Sequence, residues 1–348
     1  MVNKTAAELS AIIRAILRAA GADERNTARM EEALVSANLS GVDTHGVWQL
    51  PGYVEAIRAG YLVPTAWPAI LQDTPTTALV TGNWTFGHVA AKVALEVALT
   101  KARDQRVAVV GIVQAHHIGR LGEYAELAAA DGMIALIWAG GYGAEEPAAV
   151  PYGGKERVLH TNPIAVGLPA SDAASVVLDY ATTALSGVKV AQAQQRGEAL
   201  PPGAIVDRDG RPTTNPEDFF AGGGALPFGG HKGYALMVAA EVLGRMYTGA
   251  DAYAETERGG AIMRHQGVTM LVMRGDIFQP AEDFARRTGD LARQLRAAPP
   301  APGFAEVQVP GDPERRTRAE RRREGILIAD DVWQSLVEVA ASLNVAIS

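Results

Sequence analysis

Three consecutive stretches in the middle of the chain restrict the possible folds most. They are "RVAVVGIV" (106–113), "GEYAELAAADG" (122–132) and "MIALIWA" (133–139). The first and third are short β-rich apolar runs, and the second is an alanine-rich segment preceded by a glycine-bearing loop. This pattern predicts strand, loop, helix, strand. Such a unit commits the chain to packed layers of helix and sheet, an α/β fold. "IAVGLPA", "SVVLDYA" and "GVTMLVM" predict further strands.

Helices are expected at both flanks of this region. "TAAEL" sets Thr5 three residues before Glu8, a capping box, and Leu9, Ile12, Ile13, Ile16 and Leu17 follow at helical period until Gly21. A second helix, with Met30, Ala33, Leu34 and Ala37 on one face, runs to about Ser40 and delivers "SGVDTHGVWQLPGY". "KGYALMVAAEVLGRMYTGA" (232–250) is apolar on nearly all sides and reads as a buried helix. "AAPPAPGF" reads as a linker. "PERRTRAERRRE" (313–324) mixes both signs of charge and reads as an exposed helix held by ion pairs.

Composition narrows the function. With 48% hydrophobic residues in 348, a large core is available. The formal charge of −7 disfavours nucleic acid as a partner. The absence of cysteine excludes disulfides, thiolate catalysis and cysteine-ligated metal. The seven histidines show no helical metal-binding spacing, so no metal is expected. No apolar stretch is long enough to cross a membrane, and the protein reads as cytoplasmic. The three-glycine turn of a Rossmann domain is also missing. "GGYGAE" places Glu146 where the third glycine belongs, and "GGGALP" places Pro227 there.

The chemistry-bearing residues gather in a few places. "QAHHIGRLGEY" (114–124) lies between a strand end and a helix start, where ligands of α/β proteins commonly bind. Free N–H groups there suit an anion, Arg120 can grip a carboxylate, and a histidine can exchange a proton with the adjoining oxygen. In "GVDTHG" (41–46), Asp43 and Thr44 can orient His45. "VVLDYATTALSG" (176–187) offers small and hydroxyl residues suited to phosphate. "GGHKGY" (229–234) puts Lys232 at a helix start, where a cation opposes the helix dipole unless an anion compensates it.

Taken in order, "DTHGVWQLPGY", "HHIGRLGEYAELAAADG", "HTNPIAVGLP", "VLDYATT" and "GGHKGYAL" resemble the second, non-Rossmann type of malate/L-lactate dehydrogenase, and "HIGRLGEY" looks closest to the hydroxycarboxylate dehydrogenase B branch. The resemblance implies a mixed sheet, α+β in layout, joined to a helical lobe. The expected division is 1–73 with about 225–262 for the helical lobe, and 74–224 with about 263–348 for the sheet domain. It further implies a homodimer that transfers hydride between NAD(P)H, NAD ahead of NADP, and a small 2-oxo/2-hydroxy acid. Carried over by position, the catalytic histidine falls on His117 and a second on His45, with the roles of the two interchangeable; His116 replaces the usual asparagine. Cofactor contacts fall on Gly141, on Asp179, Tyr180, Ala181, Thr182, Thr183 and Ala184, on Lys232 and Gly233, and on Pro310, Gly311 and Asp312. Substrate contacts are expected from Thr44, Gln49, Tyr53 and Arg120.

The chain departs from this pattern at Gln49, where many members carry an arginine, and at Thr44, where serine is usual. Arg120 is the cation expected in compensation. Two alternatives stay open: a reductase of cyclic imino acids using the same cofactor, and a non-catalytic protein that binds a phosphate-bearing ligand.

Overall fold

The computed structural model describes residues 1–171 and 175–347. Its strands are β1 (Val2–Lys4), β2 (Ala69–Asp73), β3 (Thr77–Thr81), β4 (Val107–Val113), β5 (Met133–Gly140), β6 (Ile164–Leu168), β7 (Val176–Tyr180), β8 (Ile205–Val206), β9 (Pro212–Thr213), β10 (Gly224–Ala225), β11 (Gly267–Arg274) and β12 (Ile326–Ile328). Its α-helices are α1 (Ala6–Ala19), α2 (Glu24–Leu39), α3 (Leu50–Arg58), α4 (Gly87–Gln105), α5 (Leu121–Ala130), α6 (Gly187–Arg196), α7 (Pro216–Phe220), α8 (His231–Glu241), α9 (Gly260–Met263), α10 (Ala281–Arg296), α11 (Asp312–Glu324) and α12 (Asp330–Ser342).

The main sheet runs β2-β3-β4-β11-β5-β6-β7. Only β3 and β4 are parallel neighbours; every other adjacent pair is antiparallel. The β4–α5–β5 unit read from the sequence is present, but β11 is threaded between its two strands. One face of the sheet is covered by α4 and α5, whose alanines let Val110, Ile112, Ile137, Val268 and Met270 close into a continuous core. On the other face α8 runs into a π-helical turn, Val242–Met246. There Gly140 lies so close to Glu241 that a side chain at 140 would overlap the helix backbone.

The second core joins α1, α2 and α3. Its α1 carries the expected capping box, with Thr5 and Glu8 bonded reciprocally. Ile326, Ile328, Leu336, Val339 and Ala340 pack into this same core, and β12 pairs with β1. Two segments therefore differ from the expected division. Residues 326–340 side with the N-terminal helices because β12 pairs with β1 and the apolar residues of α12 share the core of α1, α2 and α3, and 69–73 is the sheet's edge strand rather than part of a helical lobe.

The expected burial of 232–250 is half met. Met237 and Ala240 are buried, but Leu236, Val238, Val242, Met246 and Tyr247 are exposed, the last by 65%. A helix apolar all round has one side on the sheet and the other open in the single chain. The arginine-rich helix α11 is exposed on one side only. On the other, Arg318 reaches Glu126 at 2.8 Å and Arg321 reaches Asp43 at 2.6 Å, tying α11 to distant elements. Among the described residues, no helix is long and apolar enough to cross a membrane.

Candidate active site

The segment after β4 is stiffened from several directions. Trp84 N–H donates to Gln114 O at 2.7 Å, His116 N–H to Thr85 O at 3.2 Å, and Gln266 Nε2 to the carbonyls of Ala115 and His116 at 3.1 and 3.0 Å. Tyr124 Oη donates to Ile118 O. Gly87, the first residue of α4, lies directly against this segment: a Cβ there would overlap the carbonyl oxygens of His116 and His117. Backbone cannot yield as a flexible side chain can. Helix propensity alone favours Gly87→Ala. The contact reverses the sign: we expect kcat/KM to fall by roughly 100-fold, the cost of about 1 Å of misplacement at a reacting group. Steady-state kinetics and a melting curve of this variant would check it.

The stiffened loop aims His117 at residues from the N-terminal helices. Tyr53 Oη lies 2.8 Å from His117 Nδ1, and the His45 ring centroid is 5.5 Å from that of His117. His88 and Tyr142 stand at 5.9 and 6.3 Å, and Tyr142 in turn meets His160 edge-on at 4.5 Å. Burial, together with the neighbouring His45, His88 and His116, holds the His117 imidazole well below the usual histidine range. His45 is lowered to about 4 by burial and by the field of Arg120. At neutral pH the cluster is therefore uncharged and able to accept protons.

The remaining expected residues fall into two groups. Thr44 Oγ1 lies 3.1 Å from His45 Nδ1 and helps to set that ring, whereas Asp43, read as a second orienter, is claimed by Arg321 and Asn38. Gln49 turns back to donate to Thr44 O at 2.9 Å. Tyr53, read as a substrate contact, is 1% exposed and places its hydroxyl against His117 instead. Arg120 is 5% exposed and sits between Glu126, Ser40 and, at 3.9 Å, Asp179. In this structure its guanidinium is turned to these acids, with Glu126 shared with Arg318, and its field reaches His45.

Of the residues expected to contact the cofactor, Thr182 meets Phe228 past the end of β7, Gly141 is linked to Thr182 through Glu241 and Asn162, and 310–312 lies by the strand's other end. Asp179 accepts from Gly122 N at 2.7 Å, joining β7 to the start of α5, and burial raises its carboxyl to about 6. Tyr180 lies edge-on to Phe228. Ala181 is half-buried beside it. The Thr182 hydroxyl bonds the carbonyls of Thr161 and Asn162, and Ala184 N–H bonds Leu226 O. Thr183 Oγ1, by contrast, is buried without a partner among the described residues. Lys232 is exposed in the first turn of α8, and Gly233 packs against the Phe228 carbonyl. The Gly141 N–H, expected to face the cofactor, donates instead to Glu241 Oε2 at 2.8 Å. Farther along the edge of β7, Pro310 O accepts from Val177 N, Gly311 takes a φ of +95°, and Asp312 is bound by Arg296 at 2.8 Å.

Sequence reading missed His88, Tyr142, His160 and Glu241. Of these only Glu241 carried a signal, a lone acid in an apolar helix, which must find partners if buried. It finds Gly141 N–H, Asn162 Nδ2 at 2.6 Å and Arg245 at 3.4 Å.

Comparison with known proteins decides the lineage. The malate/L-lactate dehydrogenase family matches residues 5–337. The chain belongs to this family. It is accordingly an NAD(P)-dependent dehydrogenase acting on 2-hydroxy acids. It is similar to the malate/(S)-sulfolactate dehydrogenase of Methanothermus fervidus, with 32% identity over 100% of both chains. It is also similar to the hydroxycarboxylate dehydrogenase B of Escherichia coli strain K12, at 31% over 97% of this chain and 93% of that one. The crystal structure of malate dehydrogenase from Entamoeba histolytica superposes with a TM-score of 0.92 at 26% identity, covering 99% of each chain. Identities this alike leave the branch expected from "HIGRLGEY" no closer than the sulfolactate one.

Proposed function

We propose that this dehydrogenase reduces a small 2-oxo acid reversibly, with His117 as the acid/base and His45 polarising the substrate oxygen. The observation that carries this reading is the pairing of His117 with Tyr53 beside the His45 ring. With Nδ1 occupied by Tyr53, the free ring nitrogen of His117 is Nε2, on the opposite side of the imidazole. During reduction, Nε2 gives its proton to the oxygen of the former ketone; during oxidation, it takes that proton back. A neutral imidazole is the form needed for oxidation, and burial favours it.

The nicotinamide cofactor supplies or accepts the hydride. The residues at the proposed cofactor position fit an anionic, phosphate-bearing group. Thr183 Oγ1 is a buried hydroxyl without a partner among the described residues, and Lys232 brings a cation to a helix start, where the dipole favours an anion beside it. The open apolar side of 236–247 supports a homodimer, because a monomer gains nothing by exposing Leu236, Val242, Met246 and Tyr247 together.

A screen of 2-oxo acids, followed by absorbance of the reduced nicotinamide and run once with NADH and once with NADPH, tests the reading. Turnover of a pyruvate-like ketone, faster with NADH, is expected. Turnover of piperideine-2-carboxylate and of no 2-oxo acid would replace the ketone by a cyclic imine as substrate, and turnover faster with NADPH would reverse the cofactor preference.

A further inference from the structure

We infer that Tyr53 is the positioning residue for His117, fixing which ring nitrogen exchanges the proton. This rests on the proposed role of His117 and adds to it a residue with no contact to the substrate. Tyr53 comes from α3, and His117 from the loop after β4, so the bond joins the N-terminal helical core to the sheet. The phenol ring is 1% exposed and is met edge-on by Phe86 at 6.0 Å, His88 at 5.9 Å and His116 at 5.9 Å, with interplanar angles of 82°, 88° and 73°. Rings standing against it from several sides leave it no room to turn, so the hydroxyl is a fixed point 2.8 Å from Nδ1.

A hydroxyl there makes the two nitrogens of His117 unequal. In the imidazolium, Nδ1–H donates to Tyr53 Oη and Nε2–H points to the substrate oxygen. When the Nε2–H bond breaks and the new O–H bond forms on the substrate, Nδ1–H stays on Tyr53. The neutral ring is then left with its lone pair on Nε2, the state that accepts a proton in the reverse reaction. Without the hydroxyl, Nδ1 loses its fixed partner, so nothing holds the ring with Nε2 aimed at the substrate or favours keeping the second proton on Nδ1. Burial keeps the phenol far above its usual titration range, so Tyr53 stays neutral throughout.

Tyr53→Phe keeps the ring and its edge contacts and removes only the oxygen. The expected loss is roughly 10- to 100-fold in kcat for oxidation, the size of one hydrogen bond to a charged group. KM for the substrate should change little. In the reduction direction, the fall of kcat/KM with rising pH across the neutral range should be displaced to lower pH, because the imidazolium loses its acceptor. Independently of any variant, nitrogen NMR of histidine-labelled wild-type protein at neutral pH should show His117 protonated on Nδ1 and bare on Nε2. An unshifted profile with unchanged kcat, a rise confined to KM, or an Nε2–H tautomer in the wild type would each overturn the inference. If His117→Asn abolished turnover in the same assays, the acid/base reading would survive that failure; an active His117→Asn enzyme would instead remove both.

Discussion

His117→Asn is expected to lower kcat by about 100- to 10,000-fold, the usual contribution of a positioned acid/base, while leaving cofactor affinity unchanged. Asparagine is close in size to the inner part of imidazole, so the backbone bonds that pin 114–118 to Thr85, Gln266 and Tyr124 can remain. What it cannot do is take up and release a proton. The sharper prediction concerns pH. In the wild type, kcat/KM for oxidation should stay level from neutral pH to well below the ordinary histidine pKa, because burial and three neighbouring histidines keep His117 neutral there. In the reduction direction the acid form is needed, so kcat/KM should fall with rising pH throughout the neutral range. His117→Asn should erase both dependences. His45→Asn should lower the rate but keep them, since His45 is bonded to Thr44 and not to Tyr53. If His45→Asn erased the pH dependence and His117→Asn preserved it, the two roles would have to be exchanged.

How much of this site was visible in the residues alone depended on how local each interaction is. The loop between β4 and α5 was legible because a strand, a loop with glycine and an alanine-rich helix are short-range patterns. "DTHG" and "HHIG" stood out because histidines beside glycines are unusual in a core. His88 did not stand out. It opens α4 inside an alanine-rich run, and its importance arises only when Gly119, whose φ is +76°, passes against its ring. The insertion of β11 between β4 and β5 is likewise a pairing across more than a hundred residues, to which periodicity is blind. Arg120 shows the same limit from the other side. Sequence places it beside the histidines, yet its guanidinium turns to Glu126, six residues on in α5, and to Asp179, which is a neighbour only in space. The apolar character of 232–250 was read correctly, but a sequence cannot say whether a second apolar side meets the same chain or another.

Acidification should unfold the protein over an unusually narrow range, because the histidine cluster is also an acid-sensitive part of the fold. His88 and His116 are 1% and 9% exposed, and the Nδ1 of each is buried with no partner among the described residues. Burial lowers both, His116 to about 4 and His88 well below the usual histidine range, with Arg29 opposing the protonation of His88 as well. In the unfolded chain each would titrate near 6.5. Below that pH the unfolded state binds more protons than the folded one, so stability falls with falling pH until the folded-state pKa values are reached. Each group lowered in this way adds roughly 1 kcal/mol per pH unit to the slope between about pH 6 and its folded-state value, and His45 and His117, lowered by the same burial, add to it. Against a typical net stability of about 5–15 kcal/mol, that alone removes much of the fold by pH 4. Circular dichroism against pH should therefore show Tm falling steeply between about pH 6 and about pH 4.5, and His116→Asn, which keeps a polar side chain but removes one titrating group, should move the acid midpoint downward. A Tm that is level over this interval would mean that the two rings reach water or a proton acceptor in the folded protein, and the burial that depresses His117 beside them would then have to be reconsidered too.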